Sequence, residues 1–290
     1  MPPDAALAVF EAERPRLLRL GYRMLGSMSE AEDVVQDCWL RWQAVEHAVR
    51  EPAAFLSRIV TRLCLDRMKS ARARRETYIG PWLPEPFAEN DEAPREDELT
   101  LTLMLALERL SPLERAAFLL HDVFGMPLGE VAETLDRDAA AVRQLAVRAR
   151  KHVHAARPRF PVAEAEGERI ARAFFAATHD GDLAELQKLL RADAVLRSDG
   201  GGKVSAFRNP IRGVERLLRL YHGLHRKRHF TASERFVPIR IDGLPAFISI
   251  ERGVLQTTAF EIEDGRIAGI LITRNPDKLR RIAATLAARG

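Results

Sequence analysis

Apolar residues recur every three or four positions through the first half of the chain and at alternate positions near its end. The pattern predicts a helical part followed by a mixed helix-and-strand part. Leu17, Leu18, Gly21, Tyr22 and Leu25 lie at helical spacing. Beyond them, Ser29 stands three residues before Glu32 and predicts a capping box. Val34, Val35, Cys38 and Trp42 form the inner stripe of that helix, leaving Asp33, Gln36, Asp37 and Arg41 outward. A third helix starts after Glu51-Pro52, with Phe55, Leu56, Ile59, Val60, Leu63 and Cys64 on its apolar face. Arg58, Arg62 and Lys69 share another face, and Arg72, Arg74 and Arg75 end the helix. Such a basic end suits a backbone-phosphate contact, and equally a solubilising terminus that complements the helix dipole.

From Leu110 to His152 the pattern is that of a helix pair, a tight turn and a basic helix. Ser111 is placed to cap a helix with Pro112 first and Glu114 third, and Val123 to Pro127 break it. A short helix, Leu128 to Leu135, stops at Asp136-Arg137-Asp138, and a longer one starts near Ala139. With Ala132 small at the crossing and Val142 and Leu145 packing back, this is helix-turn-helix spacing; Arg143, Arg148, Arg150 and Lys151 are left exposed. A helical bundle with a solvated face gives the same pattern. Asp136 stands where glycine is most comfortable, although Asp tolerates the left-handed conformation better than most residues.

Residues 77–99 lack periodicity and carry Pro81, Pro84, Pro86 and Pro94. Glu85, Glu89, Asp91, Glu92, Glu96, Asp97 and Glu98 oppose only Arg95 there, so the stretch is a linker, stiff at its start and acidic at its end. Trp82, Leu83 and Phe87 favour a docking peptide over an idle spacer, because aromatic-plus-proline segments lose little entropy on binding. The acidic half also offers a mimic of nucleic acid.

After Arg157-Pro158 and Phe160-Pro161 come two helices broken at His179-Asp180-Gly181, a strand at 194–198, the turn Asp199 to Lys203 and a strand from Val204. A helix from Val214 to His225 follows, then β-rich segments at 235–241, 246–250, 254–262 and 266–273, divided by Asp242-Gly243, Arg252-Gly253 and Asp264-Gly265. Asn275 and Pro276 are placed to start a last helix. Helices followed by a curved antiparallel sheet make an α+β cone.

The chain has 290 residues, 47% hydrophobic and 30% charged, with a net charge of +4. That describes a protein with sizeable cores, compatible with nucleic acid without demanding it. Cys38 and Cys64 fall on apolar helical positions and read as buried thiols in a reducing cytoplasm; no metal-ligand spacing occurs and no cofactor is called for. No apolar run approaches about 18 residues, and the proline-interrupted acidic start does not read as a signal peptide, so a cytoplasmic location is expected.

The stretches Glu30–Trp42 and Pro52–Arg74 resemble region 2 of an extracytoplasmic-function (ECF) sigma factor of bacterial RNA polymerase, and Leu110–Val153 resembles region 4. The order of the C-terminal elements is similar to the SnoaL-like, nuclear-transport-factor-2-like fold. Trp82-Leu83-Pro84-Glu85-Pro86, Asp199-Gly200-Gly201-Gly202-Lys203 and Asn275-Pro276-Asp277-Lys278-Leu279 resemble motifs of the subgroup carrying such a domain. The resemblance implies two all-α sigma domains, the second a helix-turn-helix, followed by an α+β cone: region 2 over 1–76, the linker over 77–99, region 4 over 100–157 and the regulatory cone over 163–290. It implies that Asp33, Val34, Gln36 and Asp37 bind the polymerase core. Arg58, Arg62, Asp66, Arg67 and Lys69 would bind the −10 element, and Arg143, Gln144, Arg148, Arg150 and Lys151 the −35 element. The three motifs, through Trp82, Leu83, Pro84, Asp199, Gly200, Gly201, Gly202, Lys203, Asn275, Pro276, Asp277 and Lys278, would regulate from within the chain.

The implied partners are core polymerase and promoter DNA, with no membrane, a small ligand in the cone as an option, and a monomer when free. Bland readings stand beside the motifs: a flexible hairpin for Asp199–Lys203 and a plain helix start for Asn275–Leu279. Successive glycine amides beside a lysine also suit an anion or an acidic peptide. A pocket enzyme of isomerase or cyclase type is the rival reading, with His179, Asp180, Asp199, His222 and His225 as candidate acid–base groups that form no dyad in sequence. A stand-alone repressor is disfavoured, because DNA would repel the acidic face at Asp33–Asp37.

Overall fold

The computed structural model describes residues 3–45, 49–76, 78–88, 101–154, 162–227 and 236–288. The acidic half of the linker, Arg157 to Pro161 and Arg228 lie outside them, as do the side chains of Arg72, Arg74 and Arg75. Two compact units emerge, one of residues 1–76 with 103–156 and the other of 77–102 with 157–290.

The first unit is helical. α1 (Pro3–Leu25), α2 (Met28–Gln43) and α3 (Pro52–Glu76) pack around Leu17, Met24, Val34, Cys38, Leu56 and Val60. At Gly21 a Cβ would meet that of Ala31 at 3.0 Å, so the missing side chain lets α1 and α2 approach. Trp42 Nε1 donates to the Ala6 carbonyl at 2.9 Å, satisfying the one polar atom of a buried indole. The cap of α2 differs from the expectation. Gly26, at φ 71°, ends α1, so Ser27 becomes the extended residue whose hydroxyl accepts from Glu30 N, and Ser29 falls inside the first turn.

α4 (Leu101–Leu107) precedes α5 (Pro112–Phe118), which has the predicted capping box: Glu114 N donates to Ser111 Oγ, and Ser111 N to Glu114. A π-helical turn over Leu119–Val123 leads to α6 (Leu128–Leu135) and α7 (Ala139–His154). Asp136 ends α6 at φ 52°, ψ 55°, the left-handed conformation that its turn requires. Asp138 then accepts from Ala141 N at 2.7 Å and starts α7. Burial pushes the Cys38 thiol up to about 12 and Cys64 higher still, so neither is reactive.

Arg115 joins α5 to α1 within this unit. It is 1% exposed; its Nε donates to the Arg23 carbonyl at 2.8 Å and its Nη1 to Glu108 at 2.5 Å. The cation thus meets the C-terminal end of α1, where the helix dipole is negative. A second ion pair, Arg58 to Glu133 at 3.1 Å, links α3 to α6.

In the second unit α8 (Glu164–Asp180) and α9 (Leu183–Leu189) meet at Gly181, left-handed at φ 75°, as the sequence predicts. β1 (Leu190–Asp199), β2 (Ile211–Arg212), β3 (Val237–Ile241), β4 (Leu244–Glu251), β5 (Val254–Glu263) and β6 (Arg266–Thr273) form one sheet in the order β2-β1-β6-β5-β4-β3. The three predicted hairpin turns have positive φ at both central residues: 43° and 76°, 50° and 77°, 50° and 70°. α10 (Val214–Arg226) crosses the inner face, where Phe174, Tyr221, Phe247, Phe260, Leu196 and Ile270 form the core. The outer face carries α11 (Arg280–Ala288) through Ile248, Leu279 and Ile282.

Three expectations change here. The sheet is mixed, because β1 runs parallel to β6. Val204 starts no strand; Lys203 N and Val204 N both turn back to the Gly200 carbonyl, and pairing resumes only at Ile211. The last helix begins at Arg280, since Asn275 spends its Oδ1 on a tight turn to Asp277 N.

Replacing Arg115 by Ala strands Glu108 and the end of α1. Urea denaturation, read by Trp39 and Trp42 fluorescence in a Trp82→Phe background, should show the helical unit losing about 3–5 kcal/mol, and less with Arg115→Met. A loss below about 1 kcal/mol would contradict this seam.

Candidate functional site

On α2 the inner stripe positions the outer one. Asp33 and Gln36 are exposed and Asp37 is half-buried, whereas Val34 is 0% exposed and belongs to the core, holding the helix instead of presenting a surface. Leu40, one turn beyond, is 58% exposed. A large apolar side chain in water beside two carboxylates extends the stripe, and the 33, 36, 37, 40 spacing was available in the sequence to find it.

α3 presents Arg62, Asp66 and Lys69 to solvent, with Lys69 and Asp66 paired at 3.0 Å. Arg67 turns toward α2 and bridges Asp33 at 3.3 Å and Asp37 at 3.2 Å, so two of the predicted sets meet in one network. Arg58 is committed to Glu133.

α7 is held by Val142, Leu145, Ala146, Ala149 and Val153. Its opposite stripe exposes Arg143, Gln144, Val147, Arg148 and Lys151. Val147, at 54% exposed, is an apolar residue among donors that sequence reasoning passed over. Arg148 donates to Glu114 at 2.8 Å. Burial raises the Glu114 carboxyl, but its bonds to Arg148 and Ser111 outweigh that and leave it below the ordinary range. Arg150 leaves the exposed stripe, half-buried against Asp122 at 2.5 Å.

The third constellation lies on the outer face of the C-terminal sheet. Asp199, at the end of β1, is 0% exposed and gathers three segments. Tyr78 Oη donates to its Oδ1 at 2.5 Å, Leu83 N to its Oδ2 at 2.9 Å, Gly201 N to its Oδ1 at 3.0 Å and Lys278 Nζ to its Oδ2 at 2.8 Å. Lys278 also donates to the Leu83 carbonyl, and its ammonium sits 4.0 Å from the Trp82 ring centre. Asn275 Nδ2 donates to Tyr78 Oη at 2.9 Å; burial and the Asp199 carboxylate push that phenol up. Gly201, at φ 62°, leaves no room for a Cβ, which would lie 2.4 Å from Asn275 Nδ2. Gly202 is left-handed at 71° and lies against Ile79, while Gly200 closes the loop by accepting from Lys203 N and Val204 N.

Lys203 pairs with Asp277 at 2.5 Å and holds that carboxyl below its usual range; Pro276 is exposed beside it. Leu83, Pro84, Glu85 and Pro86 are buried, and Ala88 bridges the β3 edge at Ile241. Tyr78 is the member of this group that sequence reasoning missed; no local pattern marks it.

His179 stacks on Phe175, with ring centres 3.7 Å apart, and His225 contacts the His179 carbonyl, while His222 is exposed. Asp199 is taken by the linker. Among the described residues no group of three or more His, Cys, Asp or Glu is placed to hold a metal, and no helix is long and apolar enough to cross a membrane.

Residues 9–74 match the family model for sigma-70 region 2, and residues 100–153 that for sigma-70 region 4. The ECF RNA polymerase sigma factor SigJ of Mycobacterium tuberculosis is 36% identical over 287 residues, covering 93% of this chain and 91% of SigJ. The probable ECF sigma factor SigI of the same species is 31% identical, covering 98% of both. The crystal structure of SigJ superposes with a TM-score of 0.76 at 32% identity, covering 94% of this chain and 98% of that one, the C-terminal unit included. With both sigma regions in order and the likeness running nearly end to end, the chain belongs to the ECF RNA polymerase sigma factors.

Proposed function

We propose that this sigma factor is governed from within, by a C-terminal cone that grips the linker joining its two sigma regions. The observation that carries the reading is Lys278, which binds Asp199, the Leu83 carbonyl and the Trp82 ring at once. A tethered contact of this kind works at about millimolar local concentration, so even a weak one sets a population. The family is not enzymatic, and in this reading the cone is a regulator. The working division is region 2 over 1–76, linker over 77–99, region 4 over 100–157 and cone over 163–290.

In this reading Asp33, Gln36 and Asp37 dock on the polymerase core, with Leu40 as the apolar anchor and Val34 as internal support. Arg62, Asp66 and Lys69 line the −10 contact; Arg58 and Arg67 join once Glu133 and the α2 acids release them. On α7, Arg143 and Gln144 suit guanine and adenine edges, Val147 a thymine methyl, and Arg148, Arg150 and Lys151 the phosphates. The protein works in the cytoplasm as a monomer when free, and its cone takes a small ligand.

Run-off transcription with purified core polymerase tests the regulatory claim. Trp82→Ala, Lys203→Ala and Lys278→Met should each change transcript yield while leaving −35 DNA binding intact, with Lys278→Met the largest. Wild-type yield from all three would overturn it. For DNA reading, Arg143→Ala should weaken promoter binding by about 1–3 kcal/mol and relax selectivity at one base pair. Lys151→Ala should instead lower the salt slope by about 1 and leave selectivity unchanged.

A further inference from the structure

The inner face of the C-terminal sheet changes character along its length. Where Phe247, Phe260, Leu196 and Ile270 face inward it is an ordinary apolar core. One step along the strands it turns polar without becoming exposed. Phe247 pairs with Thr258, Thr258 with Ile272, and Ser198 with Ile272, so these four share the inner face. Ser249 lies two residues beyond Phe247 and pairs with Gln256. Thr257 pairs with Thr273, the last residue of β6, and the same register continued by one residue brings Arg274 level with Gln256. Ser249 on β4, Gln256 on β5 and Arg274 just past the end of β6 therefore form a row, with Glu251 at its end.

Ser249 is 0% exposed, Gln256 3% and Glu251 7%. Gln256 Nε2 donates to Glu251 at 2.5 Å, and Arg274 Nη1 to the Ser205 carbonyl at 3.0 Å. Among the described residues two donors in the row are buried and without a partner, Ser249 Oγ and Arg274 Nε. A buried donor left unmade costs about 1–3 kcal/mol, and two on one row need a common explanation. Both need an acceptor. Ile272 and Arg274, which lead into the row, are only partly buried, so the row comes nearest the surface at the β6 end.

We propose that this row is a binding site for a small neutral carbonyl compound, a ketone, lactone or amide. Its oxygen accepts from Ser249 Oγ and Arg274 Nε, and its hydrocarbon part lies toward Ile272. Glu251 and Arg274 compensate each other's charge, and an anionic ligand would meet the Glu251 carboxylate. The inference rests on the reading that the cone takes a small ligand. The same strand ends carry both sites back to back: Arg274 N and Asn275 N donate to the Asp199 carbonyl at 2.7 and 3.0 Å, and Asp199 holds the linker on the outer face.

The test is methyl NMR of the full chain with labelled isoleucines, titrated with cyclohexanone and, separately, with benzoate. The ketone should shift the Ile272 methyl saturably. Ser249→Ala and Arg274→Gln should each weaken that response about tenfold. Ser249→Ala, relieved of an orphan donor, should melt no lower than wild type. No saturable response at Ile272, equal affinity in both variants, or tighter binding of benzoate than of the ketone would overturn the assignment. A response confined to other isoleucines of the cone would defeat this site and leave the small-ligand reading standing; silence of every cone isoleucine to both probes would defeat both.

Discussion

The buried carboxylate of Asp199 is the constraint on which the C-terminal unit depends. A charge removed from water is expensive to bury unless paired and hydrogen-bonded, and Asp199 is completely buried. Its donors come from three places: Tyr78 and Leu83 of the linker, Gly201 of the glycine loop and Lys278 of the turn before α11. Without the linker the carboxylate would lose two of them, and Lys278 would lose the Leu83 carbonyl and the Trp82 face. The segments therefore converge together, and the two small-residue motifs have one physical task. Their glycines make room for Asn275 and aim an amide at the acid, while the Asn275 side chain fixes the Tyr78 hydroxyl.

The helical unit follows a different logic. Many of its nucleic-acid candidates are already paired, Arg58 with Glu133, Arg67 with Asp33 and Asp37, Arg148 with Glu114 and Arg150 with Asp122. Partly exposed ion pairs are each worth about 0–1 kcal/mol, so phosphates and a basic partner surface compete with them readily. The buried Arg115 is the exception. It holds α5 to the end of α1.

Much of this was legible in the sequence because its signals are local. Asp136 at the α6 terminus, the paired turns at Asp242-Gly243 and Asp264-Gly265, and the Ser111–Glu114 box each depend on residues within one turn. The parallel pairing of β1 with β6 was not, since alternation gives a strand but not its neighbour. Ser29 and Ser27 are equally good caps in sequence; Gly26, which ends α1, decides between them. Asp199 looked like a turn residue because Tyr78 lies 121 positions away and Lys278 lies 79. Burial of the row at Ser249 and Gln256 was hidden for the same reason. Leu40 and Val147 were missed because apolar residues on a helix read as core until the inner stripe is known to be complete without them.

The most direct test of the linker grip is hydrogen exchange at the Leu83 amide, which donates to Asp199 Oδ2 in a segment without helix or strand. In the wild-type chain that amide should be protected like those of the cone. In Lys278→Met its protection should fall while β5 and β6 amides keep theirs. Exchange of Leu83 at the rate of an unstructured peptide in the wild-type protein would contradict the account.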